Sequence, residues 1–160
     1  MVKIKIGIGY DIHRLDFGRK LILGGVEIEY ARGLVGHSDA DALSHAIADA
    51  ILGALGLPNI GEVFPDTEAW TEGIASGVIL DYAREKICEH NFTISNIDAV
   101  IIAQEPKLSG YLQQMRSSIG EVLAVQAENI GLKATTNEGF GAIGNGEAIA
   151  AIANVLLMSR

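Results

Sequence analysis

From Lys3 to His13 the chain alternates without a break. Ile4, Ile6, Ile8, Tyr10 and Ile12 fall on one side, and Lys3, Lys5, Gly7, Gly9, Asp11 and His13 on the other. A two-residue period fits extended backbone, whose successive side chains point to opposite faces. The segment is read as a strand with its apolar side in a core. Its other side ends in Asp11 and His13, two residues apart and therefore projecting together.

Two further apolar runs, Lys20 to Leu23 and Val26 to Tyr30, flank Gly24-Gly25, the signature of a two-residue hairpin turn. A helix is expected from about Ala40 to Leu55, capped by Ser38 or Asp39. Leu43, Ile47, Ile51 and Ala54 form its apolar stripe. Asp41, His45 and Asp49, spaced four apart, form a polar one. Leu57 to Thr67, with two prolines and a glycine, reads as a loop able to cover a ligand. A second helix should run from Ser76 to about His90, with Val78, Ile79, Tyr82, Ala83 and Ile87 on its apolar side, and a third from Gly110 to Ala124. Ile97 to Gln104 reads as a strand buried on both faces, and Leu132 to Thr136 as a short strand before a Gly-rich loop, Asn137 to Gly146. The alanines of Ala148 to Met158 favour helix, while its short apolar run permits a strand. Together these elements make a mixed α/β (α+β) fold, a single mixed sheet with helices on one face. Residues 1–160 are expected to form one catalytic domain.

Net charge is −8 and no Lys/Arg stripe is present, which argues against a nucleic-acid partner. No apolar run is long enough to span a membrane, and the alternating N-terminus does not read as a signal peptide. With Cys88 alone, no intrachain disulfide can form, so a reducing cytoplasm is the expected compartment. Cys88 itself reads as a small apolar filler within its helix.

Three of the four histidines lie in Gly9 to His13 and Gly36 to His45, each near a carboxylate. Asp11, His13 and His45 make a set of two imidazoles and one carboxylate, the donors of an open divalent-metal site. The competing reading is that each imidazole satisfies a local hydrogen bond. Asp41 and Asp49, one turn either side of His45, can orient its ring from behind. His37, before the helix, can meet an anionic oxygen. Thr135, Thr136, Asn137 and Glu138 open a loop whose hydroxyls and backbone suit phosphate, with Glu138 a ligand for an oxygen-loving cation.

Taken in order, Gly9 to His13, Leu23 to Val26, His37 to Ala46, Ile60 to Thr67, Ile101 to Lys107 and Lys133 to Gly139 resemble the 2-C-methyl-D-erythritol 2,4-cyclodiphosphate synthases almost end to end. The resemblance implies a homotrimer with active sites between subunits. It also makes the C-terminal segment a strand. The implied reaction closes a ring between the phosphates of 4-diphosphocytidyl-2-C-methyl-D-erythritol 2-phosphate and releases CMP. By the same resemblance Asp11, His13 and His45 hold zinc or another divalent transition metal, and Glu138 holds Mg2+ or Mn2+ on the diphosphate. His37 and Thr136 stabilise the transition state. Ser38, Phe64, Pro65, Asp66, Thr67 and Glu68 hold the methylerythritol phosphate. Ala103, Gln104, Glu105, Pro106, Lys107, Leu108 and Ser109, with Thr135, hold the cytidine and its phosphates. Asp11, His13, His37, Asn59, Ile60, Gly61, Ala134, Thr136, Asn137 and Glu138 are further substrate contacts that the resemblance implies. Asn59 stands where the family commonly has Asp, which implies weaker diol binding here. Two alternatives are a zinc-dependent phosphohydrolase and an inactive nucleotide-binding module on the same fold.

Overall fold

The computed structural model describes residues 1–160. The strands are β1 (Ile4–Phe17), β2 (Leu21–Leu23), β3 (Val26–Ile28), β4 (Arg32–Leu34), β5 (Phe92–Ile102), β6 (Ile130–Thr135) and β7 (Ala148–Ser159). The helices are α1 (Ala42–Leu55), α2 (Ile60–Val63), α3 (Ser76–Glu89), α4 (Leu112–Leu123) and α5 (Gly141–Gly144). One sheet has the order β4-β1-β7-β5-β6, and only β5 and β6 run parallel. β2 and β3 pair separately as the expected hairpin, and Gly24 and Gly25 take the left-handed conformation its turn requires. The C-terminal segment is a strand pairing with both β1 and β5, so sheet packing overrides its alanine content.

β1 corrects the sequence reading. Its isoleucine side faces away from the core: Ile6 is 72% exposed and Ile8 69%. The side carrying Gly7 and Gly9 lies under α1. A Cβ at Gly7 would fall 1.8 Å from the Ala50 carbonyl oxygen, and one at Gly9 1.9 Å from that of Ala46. Glycine on the strand and alanine on the helix let the two backbones approach, and this contact selects the buried face. β5 likewise buries Phe92, Ile97, Ala99 and Ile101, while Val100 and Ile102 stay partly exposed on the outer face.

β1 runs on to Phe17 and pairs there with β4, neither of which the alternation signals. α1 starts two residues later than expected because Asp41 is its cap, not Ser38 or Asp39. α2 interrupts the expected loop, capped by Asn59. Val78 is exposed, and Leu80 is buried in its place. Cys88 lies exposed near the end of α3 and fills no core. No helix is long and apolar enough to cross a membrane.

Candidate active site

The Gly-on-Ala contact slides α1 along β1 until His45 meets the strand's polar end. Asp11 Oδ2 lies 2.8 Å from His13 Nε2 and 3.1 Å from His45 Nδ1, and those two nitrogens are 3.4 Å apart. Zinc–ligand bonds near 2.0–2.2 Å in tetrahedral array place donor atoms about 3.3 Å apart. The cluster therefore fits one divalent cation, and these are the three residues whose donor atoms converge.

The tautomer is set for that role. His13 Nδ1–H donates to the Val35 carbonyl at 2.9 Å, which leaves Nε2 facing the cluster. His45 turns Nδ1 inward and keeps Nε2 3.3 Å from Ser38 Oγ. Without a cation, His13 bonds from both nitrogens only as imidazolium. Burial pushes its pKa down, but the bond to Asp11, the charges of Asp11 and Asp41 and the bond to the Val35 carbonyl together outweigh this and raise it. Burial pushes the Asp11 carboxyl up, and the bonds from His13 and His45 reverse this, holding it at about 2. A divalent cation held by Asp11, His13 and His45 would take the place of the His13 proton on a carboxylate already ionised.

A cavity of about 450 Å³ opens in front of the cluster, lined also by Gly36, His37, Ser38, Asp49, Asn59, Ile60, Gly61, Phe64, Asp66, Ile74 and Ile79. Asp49 accepts the Ile60 N–H at 2.8 Å, tying α2 to α1. Burial raises its pKa, opposed by that N–H and reinforced by the charge of Asp11. Asn59 Oδ1 is occupied by the Glu62 N–H as a helix cap, so its amide N–H2 is the group left for a ligand. Pro65, Thr67 and Glu68 belong to the same loop but do not line the cavity; the Pro65 carbonyl accepts from Thr71, and the Glu68 carbonyl lies 3.4 Å from His37 Nε2. Asp41 makes no hydrogen bond to the His45 ring. Its carboxylate turns the other way, to Gly24, Gly25, Ser44 and Ser76.

A second cavity, of about 520 Å³, lies across the sheet. The whole run Ala103 to Ser109 lines it, with Ala134, Thr135, Thr136, Tyr30 and Leu112. Asn137 and Glu138 stand outside it. Glu138, in the left-handed conformation, accepts the Thr136 hydroxyl at 2.9 Å and belongs to no cluster of metal-ligating groups. No residue lines both cavities.

The sequence profile of the YgbB family matches residues 4–158. The 2-C-methyl-D-erythritol 2,4-cyclodiphosphate synthase of Alkaliphilus metalliredigens is 53% identical over 152 residues, 95% of this chain and 96% of that protein. The chain belongs to the YgbB family. Its members of the same synthase name include that of Thermosynechococcus vestitus, 50% identical over 99% of both chains. The CDP complex of IspF from Plasmodium falciparum superposes with a TM-score of 0.87 at 40% identity, covering 98% of this chain and 97% of that one. The bifunctional IspDF of Campylobacter jejuni gives a TM-score of 0.96 at 41% identity, and this chain spans 43% of its length. The chain thus shares the fold of those structures over nearly its whole length.

Sequence reasoning missed Tyr30, Leu112, Ile74 and Ile79 as cavity walls. Of these, Tyr30 is held in place by polar contacts. Its hydroxyl accepts from Arg32 at 2.9 Å and donates to Glu105 at 3.3 Å, which fixes the ring against the second cavity.

Proposed function

We propose that the protein closes 4-diphosphocytidyl-2-C-methyl-D-erythritol 2-phosphate into 2-C-methyl-D-erythritol 2,4-cyclodiphosphate with release of CMP, as a cyclising phosphorus–oxygen lyase of the non-mevalonate isoprenoid pathway. The observation carrying this reading is a three-donor metal cluster opposite a largely uncharged cavity, in a chain whose relatives bear that synthase's name. The CDP named in the P. falciparum structure supports cytidine diphosphate as the second cavity's ligand.

An oxygen of the 2-phosphate attacks the β-phosphorus of the CDP unit. The new P–O bond closes the ring. The bond from the β-phosphorus to the oxygen bridging to the α-phosphorus breaks, and its electron pair leaves on CMP. A phosphate monoester is largely dianionic near neutral pH, so no side chain must deprotonate it. The task left to the protein is to bring repelling anions into line and neutralise them. Asp11, His13 and His45 suit zinc or a similar divalent ion, and Glu138 suits Mg2+ or Mn2+; such ions supply Lewis-acid charge at the phosphates. His37, exposed at the rim of the metal cavity, and the Thr136 hydroxyl act as donors to the transferring group. Lys107, which lines the second cavity, would meet the nucleotide phosphates. Backbone groups of Ala103 to Ser109 read the cytosine.

The complete site lies between subunits of a homotrimer in this reading. Ile12, Ala150, Ile102 and Thr135 stand in one transverse row across β1, β7, β5 and β6. Three strand spacings of about 4.8 Å separate the metal cluster from Thr135 by about 14 Å, too far for one diphosphate to bridge. The outer sheet face, with Ile4, Ile6, Ile8, Tyr10 and Ile12 exposed, supports a further copy as its cover. The exposed thiol of Cys88 agrees with the cytoplasm.

Phosphorus NMR of the substrate with enzyme, Zn2+ and Mg2+ tests the reading. Resonances of a cyclic diphosphate and CMP are expected. An unchanged spectrum, or inorganic phosphate from hydrolysis, overturns it.

A further inference from the structure

Asp41 is the only carboxylate among the buried residues, with no exposed surface at all. It pairs with no Lys, Arg or His. Five neutral donors satisfy it instead. Gly24 N–H reaches Oδ1 at 2.9 Å and Gly25 N–H reaches Oδ2 at 2.7 Å. Ser44 gives its N–H at 3.0 Å and its hydroxyl at 2.8 Å, and the Ser76 hydroxyl closes the set at 3.1 Å. Those donors come from the β2–β3 turn, the first turn of α1 and the first residue of α3. Asp39 doubles the clamp, accepting the Ser76 N–H at 2.7 Å and the Asp41 N–H at 3.2 Å.

A buried anion without a cation is a costly way to join three elements, and apolar packing would join them more cheaply. A second observation shows what the clamp holds. Ala40, fully buried, is left-handed at φ 57°, a conformation rarely adopted by residues with a Cβ. Its N–H donates to Ser38 Oγ at 3.1 Å, and that hydroxyl lies 3.3 Å from His45 Nε2. Four residues after Asp41, His45 donates its backbone N–H to the Asp41 carbonyl at 3.0 Å. The turn at Ala40 therefore leaves Ser38 at the back of the His45 ring and sends Asp41 into the core.

We propose that Asp41 is the positioning residue of the metal cluster. By clamping the start of α1 to the Gly24-Gly25 turn and to α3, it fixes the rotation of α1 about its axis. That rotation aims His45 Nδ1 at Asp11 and His13. The proposal rests on the reading of those three residues as metal ligands.

Co2+ added to the metal-free protein tests it, followed by calorimetry and by visible d–d absorption, which reports ligand geometry. Asp41→Asn keeps the side chain's shape but turns an amide toward donors, opening one arm of the clamp. We expect Co2+ to bind Asp41→Asn at least roughly tenfold more weakly, with a displaced spectrum. Leu123→Ala, in the core of α4 and away from the clamp, should lose thermal stability but keep the wild-type affinity and spectrum. Wild-type affinity and spectrum in Asp41→Asn overturn the proposal. Should Asp41→Asn fail to fold, Ser76→Ala removes the α3 arm alone. A smaller loss in the same direction supports the proposal, and no change overturns it. Wild-type protein that binds no Co2+ overturns the metal reading, and this proposal with it.

Discussion

The two cavities are built by opposite means. The metal cavity takes its donors from a strand and a helix held together by close backbone contact, and its chemistry lies in side chains. The second cavity is formed by the segments that follow β5 and end β6, and Lys107 is its one basic side chain. Rigid elements suit a cation, whose donors must converge within tenths of an ångström. A planar base and a sugar need shape and backbone hydrogen-bonding groups, which loops supply. Mutations in one cavity should therefore leave the other's ligand alone.

The largest effect belongs to the cluster. His45→Ala should abolish cyclisation and weaken Zn2+ by more than the roughly hundredfold typical of losing an outer-sphere partner. CMP binding, measured by calorimetry, should stay within twofold of wild type. A parallel loss of CMP binding would break the division between the cavities.

Gly9→Ala attacks the scaffold of one cavity only. Its Cβ would meet the Ala46 carbonyl oxygen at 1.9 Å, so strand and helix must part. A loss of about 3 kcal/mol in denaturant-measured stability is expected, with weaker Zn2+ binding in the folded fraction. Wild-type stability would show that α1 does not depend on the glycine for its seat.

This position also marks where the sequence stops being legible. The period of two in β1 was readable, and so was the projection of Asp11 and His13 from one side. Which side is buried was not, because the rule that apolar residues go inside assumes one chain and side chains of ordinary size. Here a glycine strip accepts a helix, and the isoleucines wait on the outer face. The convergence of Asp11, His13 and His45 was legible because strand and helix periods placed all three donors. Asp41 was misread for a related reason. Helical spacing puts it one turn from His45, but as the cap it lies outside the helix, and its carboxylate points to the hairpin turn. Tyr30 stayed hidden because its partner Glu105 is distant in sequence.

A smaller effect is expected in the second cavity. Lys107→Ala should weaken CDP about tenfold, the worth of one charge-assisted hydrogen bond, and should leave Zn2+ affinity unchanged. Calorimetric titration of each ligand measures both. Tyr30→Phe removes the hydroxyl that joins Arg32 to Glu105 and should reduce CDP affinity by less, since the ring remains. If Lys107→Ala disturbed Zn2+ binding instead, the cavities would be coupled within a single chain.

The smallest effect concerns Asp49, the residue that ties α2 to α1 beside the metal cavity. Burial and the neighbouring Asp11 charge raise the Asp49 pKa above its usual 3.8. Below pH 3.8 Asp49 is protonated in folded and unfolded chains alike, and no difference arises. As pH rises through its folded pKa, the folded chain must ionise a group that the unfolded chain ionises more easily. Stability is lost across that window and stays lost at neutral pH. Asp49→Asn keeps the Oδ1 acceptor for the Ile60 N–H and removes the charge. The metal-free variant should therefore melt slightly higher than wild type at pH 7 and together with it at pH 3. With Zn2+ present the order at pH 7 should narrow or reverse, because a cation on Asp11, His13 and His45 turns the nearby carboxylate from a repelled charge into an attracted one. A gain at pH 7 that zinc leaves untouched would mean that Asp49 answers to its burial alone and not to the cluster one turn away.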